Sequence, residues 1–495
     1  MPATMSLRRI KVLFVTSELH PLIKTGGLAD VSASLPAALQ AEGLDVRILL
    51  PGYSKVLTQL PRTRKLALIS NVSAYYPDCV LRRGRAPNGD VPLYLLDCPA
   101  LYQHENGPYQ DSGGNDLPYN HVRFGMLGYA AALLAGPDSP LTWQPDIVHC
   151  NDWQSGLAPV YMNFMSGVTA KSVATIHNLA FQGIFPPETL SWLNLPPQSF
   201  HMNGIEYYGN VSFLKAALFY ADRITTVSPT YAEEIQQEPL GMGLQGLLAS
   251  RHADLTGILN GIDENEWNPA SDPHLAAHYD QNNLNNKQKN KLALQKRMGL
   301  NVNVNVPLLG LVSRLTHQKG IDMLVDILPQ LATRNCQLAI LGSGDAANEK
   351  TLLQFAQTFP GKIAVKIGFD ESLSHLITAG IDMFLMPSRF EPCGLNQMYS
   401  QHYGSPPIVS ATGGLADTVT DSSASSIANK SASGIVLREL SASGLLEAID
   451  RALSYFHQTP LWQNIQHAGM TRDFSWKASA QRYVELYQSL TNSMA

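Results

Sequence analysis

Five places in the 495-residue chain carry residue types whose spacing suits chemistry on a phosphorylated or hydroxylated ligand. Lys24 stands just before Gly26 and Gly27, with Thr25 between, in Lys24-Thr-Gly-Gly-Leu-Ala-Asp30. A lysine at a glycine turn that opens a helix pairs with phosphate as a flexible point charge. The glycines let backbone approach closely. Arg314 and Lys319, in Ser313-Arg-Leu-Thr-His-Gln-Lys-Gly320, follow an apolar run and form a natural clamp for a diphosphate. Glu391, in Pro387-Ser-Arg-Phe-Glu-Pro-Cys-Gly-Leu395, is placed to accept hydrogen bonds from sugar hydroxyls or to offset positive charge at a reacting carbon. Asp152, in His149-Cys-Asn-Asp-Trp-Gln154, and His177, in Ala174-Thr-Ile-His-Asn178, each close an apolar run. Every one of these has a plainer reading: a solvated lysine, soluble loop cations, a dipole-stabilised glutamate, a structural histidine. Their shared position at strand ends is what favours a site.

One repeat ties these places together. Thr-Gly-Gly-Leu-Ala-Asp occurs at Thr25–Asp30 and again at Thr412–Asp417. The plain reading is two unrelated turns; the sharper one is two doubly wound halves, each presenting a glycine loop and a helix N-terminus. A competing motif is Gly342-Ser-Gly344-Asp-Ala-Ala347, which follows a strand and has Asp370 downstream. That resembles the dinucleotide fingerprint and makes an NAD-dependent dehydrogenase the rival from pattern alone, although the motif sits on the second strand of its domain. No Asp-x-Asp, H-E-x-x-H, G-x-S-x-G or P-loop occurs. Leaving-group charge would therefore fall to Lys, Arg and helix dipoles.

The elements that must position these residues follow βαβ grammar twice over. Strand-like runs fall at 11–16, 45–50, 146–149, 172–177 and 223–228, then at 308–313, 337–341, 362–368, 382–386 and 407–410. Several are apolar throughout, as strands buried on both faces of a parallel sheet require. Helical patterns lie at 28–42, 323–333, 349–358 and 445–457, and a terminal amphipathic helix follows Ser475. The polar stretch 271–305 is poor core material and reads as a solvated helix or loop. The expected domains are 1–256 with a returning helix at 473–495, and 257–472.

Composition bounds the function. A net charge of -5 with 15% charged residues and no basic block argues against nucleic-acid or anionic-membrane partners. Five cysteines, odd in number and never paired as C-x-x-C, argue against a disulfide framework or structural zinc. The N-terminal segment carries Arg8, Arg9 and Lys11 but no leader-like apolar core, and no run approaches ~20 apolar residues. A cytoplasmic protein is expected.

At these same residues the chain resembles the bacterial glycogen synthases, the family shared with plant starch synthases. The likeness rests on Lys24–Val31, Asn260-Gly-Ile-Asp263, Ser313–Gly320, Ser388–Leu395 and Thr412–Val419, which occur in the family's order. It implies a GT-B fold: two Rossmann-like domains facing a cleft, with the last helix crossing back. It also implies retaining transfer of glucose from ADP-glucose to the non-reducing 4-hydroxyl of an α-1,4-glucan, without a metal or other cofactor. Carried over, Lys24, Gly26 and Gly27 would meet the donor, and Arg314 and Lys319 would neutralise the departing ADP. Glu391 would hold the glucose, His177 and Asp152 would line the reaction centre, and Gly394, Gly413 and Gly414 would contact phosphate or sugar. Both front-face attack and double displacement stay open, with Asp152 the nearest carboxylate for the latter. Asn151 and Gln154 stand where family members commonly carry His, and Phe181 where Tyr is frequent. Tyr399 stands where the wider GT-B set often has a second Glu.

Overall fold

The computed structural model describes residues 9–492 except 71, 88, 105 and 106; most of the N-terminal segment read for a leader lies outside them. The chain divides into two compact units, Met1–Gly261 with Trp476–Ala495, and Ile262–Ser475.

The first unit is built on a run of apolar residues. Val12, Leu13, Phe14 and Val15 of strand β1 (Lys11–Val15) are all fully buried, so both faces of this strand are covered. It pairs in parallel with β2 (Asp45–Pro51) on one side and with β6 (Ile147–Asn151) on the other. Outward from β6 follow β7 (Lys171–Ile176), β11 (Arg223–Thr226) and β12 (Leu255–Gly257), all parallel. Outward from β2 follow β5 (Pro92–Asp97) and then an antiparallel pair, β4 (Cys79–Arg85) and β3 (Arg64–Ile69). The order β12-β11-β7-β6-β1-β2-β5-β4-β3 reverses direction at the β1/β6 boundary. That boundary is a topological switch point, where the loops leaving neighbouring strands part and leave a crevice.

Helices cover the sheet, and the Trp476–Asn492 helix packs against the Gly27–Ala41 helix. Its Trp476, Ala480, Tyr483, Tyr487 and Leu490 belong to the buried core of this unit. The β3–β4 hairpin was absent from the strand pattern, because its outer strand is half exposed and mixed in composition. A small sheet of β8 (Ile184–Phe185), β10 (Asn210–Ser212) and β9 (Glu206–Tyr207) was absent too, its strands being too short for periodicity.

The second unit repeats the plan with six parallel strands. In spatial order they are β15 (Ile363–Ile367), β14 (Gln337–Gly342), β13 (Leu308–Val312), β16 (Met383–Met386), β17 (Pro407–Val409) and β18 (Ile435–Val436). The switch point falls between β13 and β16, with an apolar cluster on each face of the sheet.

The reading of 271–305 as solvated is corrected here. The Lys287–Met298 helix buries Lys287, Asn290, Lys291 and Gln295. Burial is tolerable because each polar group finds a partner. Lys287 Nζ donates to the Ala379 carbonyl at 2.8 Å and to Ser405 Oγ at 2.6 Å, and Lys291 Nζ pairs with Asp382 at 2.6 Å. Burial pulls the Lys287 amine down to about 7. Composition alone does not show such pairing.

Candidate active site

In each unit the residues singled out by spacing lie on loops that leave the strands at its switch point or the strand next to them. In the first unit β1 runs into Thr16-Ser-Glu18, and Glu18 is the residue that sequence reading missed. Its carboxylate is 3% exposed at residue level and organises the first glycine loop. Oε2 accepts from the Thr25 amide at 2.5 Å and the Gly26 amide at 3.3 Å, while Oε1 accepts from Thr25 Oγ1 at 2.6 Å and Tyr109 OH at 2.7 Å. The signal was available: Glu18 leaves the end of a buried strand, as Asp152 and His177 do.

Beyond Glu18 the Gly27–Ala41 helix starts from Gly26 with no side-chain cap. A methyl group placed on Gly26 or Gly27 would meet nothing within 4 Å. The loop therefore presents open space over a helix N-terminus, with Lys24 beside it, 2.8 Å from Asp30.

From β6 the chain enters Asp152 with φ 54 and ψ -173, a backbone region that is essentially restricted to glycine. The strain is held by the Asp152 amide bonding the Thr175 carbonyl at 3.0 Å and by its own carboxylate accepting the His177 amide at 2.7 Å. Burial pushes the Asp152 carboxyl up to about 7, against the opposing pull of those backbone amides. Trp153, next in the chain, fills an aromatic nest of Phe124, Phe185 and Phe213 that fixes the turn.

His177 sits on the loop after β7. Its Nε2 lies 2.9 Å from Asn151 Oδ1, and the Asn151 amide group donates to the Val15 carbonyl at 3.0 Å. With the amide oriented in this way, Oδ1 accepts, so the imidazole proton belongs on Nε2. Burial draws His177 down to about 3, so it is a neutral imidazole near pH 7. Asn151, one of the positions where family members commonly carry His, thus orients His177.

In the second unit Arg314 and Lys319 lie on the loop after β13 and Glu391 on the loop after β16. Lys319 Nζ and Glu391 Oε2 form a close ion pair, with the two side chains only 15% and 9% exposed. Ser388 Oγ donates to the same carboxylate oxygen at 3.0 Å. Arg314, on the same loop as Lys319, is exposed, and its guanidinium donates to Gln318 Oε1 at 3.3 Å. The two loops are bolted together by Arg389, whose guanidinium makes two 2.6 Å bonds to Asp322 and one to the His317 carbonyl. Gly320, with φ +71, completes the junction; a Cβ there would lie 2.1 Å from the Pro387 carbonyl oxygen.

The second copy of the hexapeptide behaves differently from the first. Gly413 (φ +42) and Gly414 are buried, and a Cβ on either would lie 2.0 Å from the carbonyl oxygen of Glu391 or of Cys393 respectively. Here the glycines let one loop pack on the loop that carries Glu391. Gly394, with φ +70, turns that loop, and Gln397 ties it down through the Cys393 and Gly394 carbonyls. The dinucleotide-like loop is also explained by packing. A Cβ on Gly342 would lie 1.9 Å from the Ser313 carbonyl oxygen, and Glu349 already accepts the Gly344 amide at 2.7 Å. Asp370 caps the helix at Leu373 and pairs with Lys366 and Arg297 rather than awaiting a ribose.

Two doubly wound units whose switch points gather cations, a carboxylate and an open helix N-terminus define a glycosyltransferase of the GT-B class. The comparisons make the family specific. The starch synthase catalytic domain matches residues 11–250, and the group 1 glycosyl transferases match residues 295–455. A glycogen synthase of Nitrosomonas eutropha is 57% identical over 493 residues, covering 99% of this chain and 98% of the relative. One from Aromatoleum aromaticum is 53% identical over the full length of both. The catalytic domain of starch synthase IV from Arabidopsis thaliana, bound to ADP and acarbose, superposes with TM-score 0.86 at 31% identity, covering 98% of this chain and 100% of that one. A sucrose-phosphate synthase from Thermosynechococcus elongatus, at 17% identity and TM-score 0.59, shares the fold. The chain belongs to the glycogen synthase family, and the rival dehydrogenase reading falls with that assignment. Among the described residues no helix is long and apolar enough to cross a membrane.

Proposed function

We propose that this chain moves glucose from ADP-glucose to the non-reducing 4-hydroxyl of an α-1,4-glucan in the cytoplasm, with retention and without a metal in the transfer step. The observation that carries the reading is the buried Lys319–Glu391 pair, set on the loops after β13 and β16, with Arg314 on the same loop as Lys319. ADP as the nucleotide is supported by the ADP bound to the Arabidopsis relative.

The chemistry follows from charge. As the glycosidic C–O bond breaks, negative charge grows on the diphosphate and positive charge on the sugar ring. Lys319 and Arg314 offset the first, and Glu391, held by Lys319 and Ser388, offsets the second. The open N-terminus at Gly26 and Gly27, with Lys24, suits the diphosphate–glucose portion of the donor. Gly413, Gly414 and Gly394 serve by shaping the loop that carries Glu391. His177, neutral and oriented by Asn151, offers a hydrogen bond without competing for the proton.

Asp152 is engaged with backbone amides, so its carboxylate is better suited to positioning His177 than to attacking an anomeric carbon. That favours front-face attack, in which the acceptor hydroxyl forms the new C–O bond on the face the phosphate leaves. Its proton passes to the departing phosphate oxygen.

The test is glucose incorporation into glycogen from ADP-glucose and from UDP-glucose, each with and without EDTA. Incorporation that prefers ADP-glucose and is indifferent to EDTA is the expected result. No incorporation from either donor, with ADP still bound, would make this a glucan-binding member that has lost turnover.

A further inference from the structure

A second cluster lies in the second unit and includes none of the groups assigned to the transfer. The Glu371–Gly380 helix carries Glu371 and His375 four residues apart, a spacing that puts both on one helix face. Glu266, from the segment that opens this unit, joins them: one ligand atom from each of the three lies within 4.8 Å of the others.

The histidine is what separates this cluster from an ordinary acidic patch. His375 is 1% exposed. Its Nδ1 lies 2.7 Å from Asp272 Oδ2, a carboxylate that also accepts from Tyr403 OH at 2.7 Å. Its ring stacks on Trp267 at 3.7 Å and 14°, and Trp267 in turn stacks on Tyr399 at 4.0 Å. The ring's orientation is thereby fixed, with Nδ1–H directed at Asp272. Burial works against a charged ring, but Asp272 and Glu371 outweigh it and raise the imidazole to about 9. Nε2 is buried, makes no hydrogen bond, and faces Glu371 Oε1 at 3.5 Å as an ion pair, so a cation bound there takes the place of the Nε2 proton. A buried imidazole that donates from one nitrogen to a carboxylate, and turns the other toward Glu371 with Glu266 close by, has the outer-shell arrangement of a metal-binding histidine.

We propose that Glu266, Glu371 and His375 bind a divalent cation of the zinc class, through one imidazole nitrogen and two carboxylates, with water completing the shell. The imidazole selects for first-row transition ions over Ca2+ and Mg2+, which take oxygen ligands. The ion would staple the segment around Glu266 and Trp267 to the Glu371–Gly380 helix. It takes no part in glucose transfer, so the proposal and the reading of function fail separately.

The test uses the full chain stripped with a chelator, titrated with Zn2+ by calorimetry and with Co2+ by visible absorption. Expected are one saturable site, a rise in melting temperature with Zn2+, Co2+ ligand-field bands, and far weaker binding of Ca2+ and Mg2+. Glu371→Gln and Glu266→Gln, both on partly exposed residues, should each weaken Zn2+ binding about tenfold or more while leaving the metal-free melting temperature near that of the parent. His375→Gln should abolish the Co2+ bands; the two Glu variants keep the test decisive if that protein does not fold. Saturable Zn2+ binding that is unchanged in both Glu variants, equal affinity for Ca2+, or no binding at all would overturn the proposal.

Discussion

Glu391 and Asp152 are both carboxylates on loops leaving strand ends, yet their surroundings give them opposite tasks. Glu391 is held by a cation and a hydroxyl, Lys319 and Ser388, and in the proposed reading its charge faces the reacting sugar. Replacing it with the isosteric amide removes that charge and keeps the shape. Glu391→Gln should lower kcat by about 10²–10³-fold. It should also leave the dissociation constant for ADP nearly unchanged, as measured by calorimetry. Equal loss of turnover and ADP binding would refute the assignment to the sugar.

For Asp152 the expectation is a pH-dependent gain. Its folded value, about 7, is above the usual carboxylate range, so protonated Asp152 is the form the fold prefers. The stability it contributes is present below the unfolded value near 4 and is lost as pH rises through about 7. Asp152→Asn keeps an acceptor for the His177 amide and carries no charge. It should match the parent at pH 4 and exceed it at pH 8 by about 2 kcal/mol in urea melts. A larger difference at pH 4 than at pH 8 would mean that the carboxylate is held ionised. Activity should still fall, because the amide changes the field at His177.

At the scale of elements, the duplicated hexapeptide shows how one sequence serves two ends. At Gly27 the structure has room for a side chain, and at Gly414 it has none. Gly27→Ala should leave the melting temperature within about a degree of the parent, since alanine suits a helix start. Its cost should appear in KM for the donor. Gly414→Ala must displace the Cys393 carbonyl or the loop around it, and should destabilise the protein by about 2 kcal/mol or more, with activity lost alongside. Identical behaviour of the two variants would show that the loops have the same role after all. The repeat itself was legible in the sequence; which copy stays open was not, because that depends on the loop lying against it.

At the scale of the whole molecule, the chain leaves the first unit at residue 261 and returns to it at 476. The return is fastened through Tyr487, whose hydroxyl lies 2.7 Å from His149 Nδ1 in the buried centre of the first unit. His149 Nε2 is spoken for by Thr175 at 2.6 Å, and burial draws the imidazole down to about 3, so it is neutral and needs both partners. Tyr487→Phe should cost about 1–2 kcal/mol by leaving one buried nitrogen unpaired. If the two units melt separately in calorimetry, only the first unit's transition should move. A matched shift of both would show that they unfold as one cooperative system.

Taken by itself the sequence determined the two rounds of βαβ grammar, the loops that carry Lys24, Arg314, Lys319 and Glu391, and through those motifs the family. These are local properties: buried strands announce themselves as apolar runs, and glycine loops at their ends survive as short exact strings. What only the tertiary structure decided depends on partners distant in sequence. Glu18 gains its role from Thr25 and Tyr109, Asn151 gains its own from His177, and Lys287 and Lys291 are buried because carbonyls and a carboxylate from elsewhere in the chain receive them. No spacing rule encodes those meetings, since desolvation and hydrogen bonding are settled only when the strands have been ordered and the switch points formed.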